Sequence, residues 1–343
     1  MPAEQTTPRF IVEVDGQEMT QADPRGLESM IVEDHVDMIG MAELTIAMDE
    51  GVDVSSFEIG KDVSIKVGME SSPIFVGKIA ELRHTFENGR SSVVLVAFDP
   101  LHQLASSRAT AVFEEVTDSD IANRVLETAG VEIGTIDTTS ETIPYTLQRD
   151  ESHYVFLRRL AARNGFHLLA REGKIDFVKP QYSGSFTEIP KEELVMMDYR
   201  ISPVRLPQEI TVRHWDYLTK SQVEGTASSS DIDTIGSGTN AVSSSSVWDS
   251  SSPTLISDVM VSTQSGAREM ARAELNRLSL GYLRGRAVTE GNGALRVDSL
   301  VKLAGHRSGF NASVYVLSSK HQVFVGSAYT TAITFCSNTE PGD

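Results

Sequence analysis

The spacing of apolar residues changes twice along this chain, and the changes predict β structure, then mixed structure, then β structure again. From Arg9 to Asp99 apolar residues occupy every second position, which is the period of a strand with one buried face. Successive strands without a helix between them predict a closed or nearly closed antiparallel barrel. The pattern is carried by Arg9 to Val14, by Ala42, Leu44, Ile46 and Met48, by Val63, Ile65 and Val67, and by a hairpin of Ile74 to Phe86 and Ser91 to Phe98 that turns at Asn88-Gly89.

After Asp99-Pro100 the apolar spacing lengthens to three and four residues, the period of an amphipathic helix. Thr117-Asp118-Ser119-Asp120 has the order of a capping box, in which side chains bond the first free N–H groups of a helix. Gly130 suits a left-handed C-terminal cap. A helix is therefore predicted at about 118–129, with its buried stripe at Ile121, Val125, Leu126 and Ala129.

A second helix is predicted at about 152–164, after a cap at Ser152 or Asp150 and before Gly165. Its apolar stripe is Phe156, Leu157, Leu160 and Ala161. The next stretch, 166–178, alternates apolar and polar positions on either side of Glu172-Gly173. This pattern predicts a β-hairpin that directly follows the helix.

Strand patterns return after Gly184, interrupted by a segment of different composition. Ser221–Pro253 is rich in Ser, Thr, Gly and Asp, so it has little to bury and is predicted to be a long loop or mobile insertion that folding does not require. Gly266–Ser279 has helical spacing and predicts a third helix. The strands are predicted at Leu194 to Met196, Gln208 to Arg213, Gly293 to Gly305, Val314 to Val316, Lys320 to Val323 and Ala332 to Phe335.

Length and composition limit the class of protein. With 343 residues the chain favours two or more domains, and no apolar run approaches the ~20 residues of a membrane helix. The start, Met1 to Gln5, lacks the features of a secretory signal. The net charge of −18 argues against a surface that grips nucleic acid. Cys336 is the only cysteine, so it is expected to be a small buried hydrophobe rather than half of a disulfide.

Candidate chemistry is sparse, and the sequence predicts no catalytic, cofactor-binding or metal-binding residues. The carboxylate pairs Glu114-Glu115 and Glu192-Glu193 occupy adjacent positions that point apart, and Gly291-x-Gly293 lacks the rest of a phosphate-binding pattern. The serines of Ser228–Ser252 form no nucleophile motif. No two histidines have metal-ligand spacing; they are His35, His84, His102, His153, His167, His214, His306 and His321.

Three arginines, Arg158, Arg159 and Arg163, flank the apolar stripe of the second helix. Two interpretations remain open for them. They form the polar face of that helix, or they contact an acidic neighbouring subunit.

The stretch from Asp150 to Val178 resembles the late control gene D/VgrG family of central hub proteins. That family has a Glu-Ser-x-x-x-Phe-Leu-x-Arg-Leu-Ala-x-x-x-Gly-Phe helix followed by a hairpin containing Gly, and Thr117 to Ala122 matches a short Thr-Asp-x-Asp-Ile-Ala helix of the same family. The resemblance also includes Val314-Tyr315-Val316 and His321 among the closing strands. It covers about Arg9 to Ser337 and is weakest across Ser221–Pro253.

The resemblance implies a β-rich α+β fold with two similar antiparallel β-barrel tube domains. Residues 1–100 would form the first barrel and 101–183 a helix-containing domain. Residues 184–215 and 280–343 would form the second barrel, with 216–279 inserted in it as a Ser-rich segment plus a helix.

The function implied is a structural baseplate hub of a contractile phage tail, tailocin, extracellular injection system or type VI secretion apparatus. A homotrimer would join the hexameric inner tube protein to a trimeric spike, contact other baseplate proteins and line the conduit. Because the sequence ends at Asp343 soon after the last strand, the spike is expected to be a separate polypeptide. The protein is expected to be made in the bacterial cytoplasm, without cofactors, transmembrane segments or sequence-specific nucleic-acid binding.

Two other functions remain open on the sequence. One is a cell-wall hydrolase carried on a baseplate, against which the missing catalytic constellation argues. The other is a carbohydrate-binding adhesin, which a β-rich composition permits. Zymography on peptidoglycan and glycan-array binding would distinguish them from a hub.

Overall fold

A computed structural model describes residues 10–19, 26–48, 57–68, 72–87, 89–204, 206–217, 219–244, 254–257, 259–304, 310–324 and 326–342. The first region is made of strands: β1 Phe10–Val14, β2 Gln17–Met19, β3 Leu27–His35, β4 Met41–Met48, β5 Asp62–Val67, β6 Phe75–Glu87 and β7 Arg90–Phe98. The middle region mixes helices and strands: α1 Leu101–Ser106, β8 Arg108–Thr117, α2 Asp118–Ala129, β9 Ile133–Ile136, β10 Thr142–Ser152, α3 His153–Asn164, β11 His167–Arg171 and β12 Lys174–Val178. The last region contains β13 Thr187–Ile189, β14 Leu194–Ile201, β15 Glu209–Asp216, β16 Ser221–Ser228, α4 Ala241–Ser244, β17 Thr254–Ile256, α5 Gln264–Ser279, β18 Leu283–Glu290, β19 Leu300–Ala304, β20 Asn311–Phe324 and β21 Thr330–Ser337.

One large sheet joins the first and last regions, so the fold is β-rich with a curled antiparallel half-barrel sheet. Its strand order is β14-β18-β21-β20-β3-β4-β7-β6-β5-β1-β2. The join is the antiparallel pair β20–β3, in which His321 lies opposite Val32. Each region keeps its own apolar core on one face of the sheet, around Leu44 and Ile65 in the first and around Val314 and Phe335 in the last. The two regions that were expected to form separate barrels thus contribute strands to one continuous sheet, and the arrangement as two barrels stays a prediction.

The middle region has the helices that the apolar spacing predicts. Thr117 and Asp120 make both bonds of the capping box at the start of α2. Ser152 accepts a hydrogen bond from the Val155 N–H at the start of α3. Both helices end at a glycine in the left-handed conformation, Gly130 and Gly165, each with a φ of 67°. Capping by the side chains nearest in sequence therefore sets both helix lengths.

The β11–β12 hairpin lies between the helices and the large sheet. It turns at Glu172 and Gly173, whose φ angles are 51° and 82°, as two-residue hairpin turns require. Leu168 and Phe177 pack against the helical core, whereas Leu169 packs on the opposite face against the side of the large sheet that carries Tyr315 and Cys336. The hairpin is buried on both faces, and Cys336 is fully buried as expected.

The Ser-rich segment was predicted to be a long loop or mobile insertion, but its described residues, 221–244, are folded. Ser221–Ser228 is a full strand that pairs with β15, and β15, β16 and β17 form a separate three-stranded sheet packed against α5. Apolar residues of the segment are buried in the cores. Gly225 allows α5 to approach closely, because an added Cβ would lie 2.1 Å from the Arg268 N atom. The buried apolar residues are Val223, Ala227, Ile232, Ile235, Ala241 and Val242; residues 245–253 lie outside the described part.

The same observation concerns β15. The resemblance implied that 184–215 belongs to the second barrel; within that range, β15 pairs with β16 and β17 and not with the large sheet. Asn338 then ties this smaller sheet to the large one. Its side chain accepts a hydrogen bond from the Ile235 N–H at 2.9 Å and donates to the Asp233 carbonyl at 2.9 Å and to the Ser279 hydroxyl at 3.2 Å.

Two strand boundaries near the end also differ from expectation. The sequence suggested separate strands at 314–316 and 320–323, whereas β20 is one 14-residue strand with a bulge between Val316 and Ser318. The strand predicted from Gly293 begins only at Leu300, because Asn292 accepts a hydrogen bond from the Ala294 N–H and turns the chain first. Asn88, Gly305 and His306, which the sequence analysis singled out, lie outside the described residues.

Candidate assembly surfaces

The first candidate surface is the free edge of β14, at one end of the large sheet. β14 pairs with β18 on one side, and none of the described strands pairs with its other side. Three of its apolar side chains are exposed: Val195 by 66%, Met196 by 40% and Ile201 by 44%. An edge strand that also exposes apolar residues is a template for pairing with another chain.

The second candidate surface is the projecting part of β6, called here the β6 arm (Glu81–Glu87). β6 pairs with β5 as far as Lys78, and residues 60 and 61 bond the backbone of Ile79. Beyond that point the described strands pair with β6 only on its β7 side. A bulge between Ile79 and Glu81 bends the strand where the arm begins, and Phe86 near its tip is 76% exposed.

Eight strands, including β14 and β6 themselves, run from one edge to the other in the order β14-β18-β21-β20-β3-β4-β7-β6. One face of this run carries the two apolar cores, and the registers place the alternate side chains on the other face. This second face, called here the polar face, carries many charged side chains, although the hairpin covers the part of it around Tyr315 and Cys336. Lys320 and Glu33, opposite each other on β20 and β3, form an ion pair at 2.5 Å. Among the described residues, the polar face carries seven basic and six acidic side chains, namely Lys78, Arg83, Arg90, Arg200, Arg284, Arg286 and Lys320 against Glu33, Glu43, Glu81, Glu87, Asp198 and Glu290.

A polar junction fixes the hairpin to both halves of the sheet. On the first half, Asp37 accepts hydrogen bonds from the Leu168 N–H at 3.0 Å and from His167 Nδ1 at 3.1 Å. On the second half, Arg171 bonds Asp176 within the hairpin and Asp298 just before β19. Burial alone would raise the pKa of Asp37, but the hydrogen bond and charge of His167 and the Leu168 amide hold that pKa below its ordinary value.

The arginines of α3 bond within the chain. Arg163 forms a two-point ion pair with the buried carboxylate of Asp118 at the start of α2. Arg159 bonds Glu151 at 2.6 Å and the Leu147 carbonyl at 2.9 Å. Arg158 lies over the ring of Tyr154. The pairing of Arg163 with Asp118 was not predicted from the sequence, because the two residues lie on different helices.

The remaining candidate carboxylates lie on the surface, and the candidate glycine is packed against an aromatic ring. Glu114, Glu115, Glu192 and Glu193 are exposed. Gly291 lies against the ring of Tyr329, and a Cβ added to Gly291 would lie 1.6 Å from that ring. Among the residues that the structure describes, no group of His, Cys, Asp or Glu side chains could hold a metal ion. None of the helices in the described ranges is long and apolar enough to cross a membrane.

A family model described as the Alg8 N-terminal domain matches residues 4–324. The chain belongs to this family. A comparison with curated proteins gave no match.

Solved structures share the fold at low sequence identity. The 43 kDa tail protein of prophage MuSo2 from Shewanella oneidensis is 14% identical, with a TM-score of 0.69 over 95% of this chain and 98% of that one. The tail protein from Neisseria meningitidis MC58 is 13% identical, with a TM-score of 0.71 over 97% of both chains. The E. coli c3393 protein, a type VI secretion component similar to the T4 tail proteins gp27 and gp5, is 13% identical, with a TM-score of 0.65 over 97% of this chain and 78% of that one. The fold of this Alg8 N-terminal domain family member is therefore that of phage tail proteins.

Proposed function

We propose that this chain is a structural hub protein of a contractile injection baseplate, and that three copies close into a ring. The fold shared with phage tail proteins and with a type VI secretion component supports this role. The observation that supports a ring is the presence of two free edges on one sheet, the β14 edge and the β6 arm. Because the two edges belong to different strands, their pairing would be head to tail, and such contacts generate a closed ring when the rotation between neighbouring copies closes.

The two edges are complementary when paired antiparallel between neighbouring copies. With Asp198 opposite Arg83, Arg200 falls opposite Glu81, so both charged pairs attract. These four side chains all lie on the polar face of the sheet. Antiparallel pairing with matched cross-strand charges is the arrangement that stabilises a sheet.

The same register also matches the apolar positions. Tyr199 falls next to Leu82 on the core-bearing face, where both side chains are already partly buried. At the tip of the β6 arm, the exposed Phe86 meets the exposed Val195. A shift by one residue would turn every side chain of one strand to the other face and lose both matches.

The proposed ring would contact a hexameric inner tube. Each chain contributes two halves to the ring, β14-β18-β21-β20 and β3-β4-β7-β6. If these halves are similar tube domains, three chains present six quasi-equivalent docking surfaces to a hexameric inner tube. A separate trimeric spike would bind the opposite side, other baseplate proteins would surround the ring, and the particle would assemble in the bacterial cytoplasm.

The part of the polar face that the hairpin leaves uncovered would line the conduit. Its acidic and basic side chains nearly balance, and further positions are Ser and Thr on β20, β21, β3 and β4. We expect the lumen to be predominantly neutral or acidic, so that it does not retain nucleic acid or acidic cargo. A lumen lined mainly by Lys and Arg in an assembled particle would contradict it.

Charge reversal at the proposed seam tests the ring. Arg83→Glu alone, or Asp198→Arg alone, places like charges opposite each other and is expected to abolish ring formation, since such a juxtaposition costs several kcal/mol. The double variant restores an attractive pair and should restore the ring. Arg124→Glu, on an exposed position of α2, is the matched control. Incorporation of each tagged variant into purified particles, counted by electron microscopy, gives the result, and single variants that assemble as well as the control would overturn the seam.

A further inference from the structure

A small cavity lies where the first half of the sheet, the β11–β12 hairpin and the turn before β19 meet. Its volume of about 20 Å³ is enough for one water molecule. Its lining residues come from three parts of the sequence that are far apart, so the cavity lies at the junction of these three parts. It is lined by Asp34, Gly40, Ile74, Phe75, Val76, Asp99, Ala170, Glu172, Gly173 and Arg296.

Two carboxyl groups, those of Asp34 and Asp99, converge on this cavity around Gly40. Asp99 is buried and accepts hydrogen bonds from the Gly40 N–H at 2.7 Å and the Leu101 N–H at 2.9 Å. A Cβ added to Gly40 would lie 2.9 Å from Asp99 Oδ2 and 3.4 Å from Asp34 Oδ1. The two carboxyl groups therefore both lie beside Gly40, and the charge of Asp34 acts on Asp99.

Charged side chains of both signs surround these carboxyls in the described part of the chain. Arg296 lines the cavity, but Glu172 of the hairpin lines it too. Arg171, also in the hairpin, already bonds Asp176 and Asp298. On β3 itself, His35 Nδ1 lies 2.6 Å from the Val36 carbonyl. On α3 the Tyr154 hydroxyl donates to the Asp37 carbonyl.

Burial has a measurable consequence for both acids. Burial raises the pKa of Asp34 to about 6, against the attraction of Arg296. Burial also raises the pKa of Asp99 to about 7, and the negative charge of Asp34 raises it further, against its bonds to backbone amides. Two adjacent carboxyls that cannot both ionise cheaply hold one proton between them.

We propose that Asp34 and Asp99 share one proton near neutral pH and that this proton acts as a latch at the junction of the three regions. When the latch loses the proton, two like charges face each other in one small cavity and push β3 away from the chain after β7. Mild acid keeps the pair protonated and stabilises the junction, whereas alkaline solution removes the proton and destabilises it. The latch belongs to the single chain and does not depend on ring formation.

The direction in which stability changes with pH follows from the coupling of protonation to folding. Both carboxyls have a pKa above the ordinary value of 3.8, so their contribution to stability is fully present below that value and is lost as the pH rises through about 6 to 7. His153 and His321 act in the opposite direction, because burial lowers the pKa of each below 6.5 and stability rises with pH as the unfolded histidines lose protons. The test must therefore compare variants at each pH, so that the histidines cancel.

The test measures the thermal unfolding midpoint of the full chain from pH 5 to pH 8.5. Asp34→Asn keeps the shape and removes the second charge, so its midpoint should gain on the wild type as the pH rises, by a few degrees, on the order of 3 °C. Glu114→Gln, an exposed position on β8 away from the proposed seam, is the control and should keep a constant offset. A constant offset for Asp34→Asn as well would overturn the latch.

A second measurement does not need a stable variant. Carboxyl ¹³C NMR of aspartate-labelled wild-type chain should show one aspartate that titrates near pH 7. In Asp34→Asn this signal should move to lower pH, because the neighbouring negative charge is gone. If every aspartate of the wild type titrates near the ordinary value, the proposal is wrong.

Discussion

Replacing residues 221–244 with a short Gly/Ser linker is expected to abolish cooperative unfolding of the last region. The segment supplies β16, the antiparallel partner of β15, and buried side chains such as Ile232 and Ile235. Full burial of a Val or Ile side chain stabilises a fold by about 1.5–3 kcal/mol, and a whole domain has only about 5–15 kcal/mol of stability. The loss of several such side chains, with the bonds that Asn338 makes to this segment, therefore exceeds what the domain can tolerate.

Calorimetry and near-UV circular dichroism of the linker variant give the result. The control is Gln222→Ala, on the opposite, exposed face of the same strand, which should shift the unfolding midpoint very little. A linker variant with a midpoint close to that of the wild type would show that the segment is peripheral, as its composition alone suggested.

Arg163→Met is expected to destabilise the chain by about 3–5 kcal/mol, because it leaves the Asp118 carboxylate buried without its counter-charge. The Asp118 side chain is only 3% exposed, and besides Arg163 it accepts a hydrogen bond from Asn164 Nδ2 at 2.6 Å. This pair holds the end of α3 against the start of α2. The free energy of unfolding in urea gives the loss directly.

Two further variants make that measurement specific. Arg158→Met changes an exposed arginine of the same helix and should cost less than about 1 kcal/mol. Arg163→Met combined with Asp118→Asn removes the buried charge and should recover part of the stability. If the double variant is no more stable than Arg163→Met, the unpaired charge is not the cause.

The sequence predicted those parts of the fold that local chemistry determines. The caps at Thr117 and Ser152 and the glycines that end both helices act within a few residues, so their positions can be recognised without knowledge of the rest of the chain. The β6–β7 and β11–β12 hairpins are equally local. The resemblance to hub proteins added a fold class that the tail-protein structures share.

The rest depends on contacts between distant residues. β16 alternates Val223, Gly225 and Ala227 on its buried face, and such small residues give a weak hydrophobic signal although they permit close packing of α5. The join of the two halves at β20–β3 has no local signature. The β14 edge and the β6 arm were not predicted either, because an edge is defined by the absence of a neighbour in three dimensions.

The pairing of β20 with β3 also sets the order of events during synthesis. Val32 is made near the beginning of the chain and His321 near its end, so β3 has β4 as a partner but must wait for β20 until nearly the whole protein has left the ribosome. Pairings between such distant segments form slowly, and an uncovered strand edge invites aggregation in the meantime. We expect the first region, when expressed alone, to bind chaperones and precipitate. Delivery of a separate peptide containing 311–337 during its synthesis should reduce that precipitation.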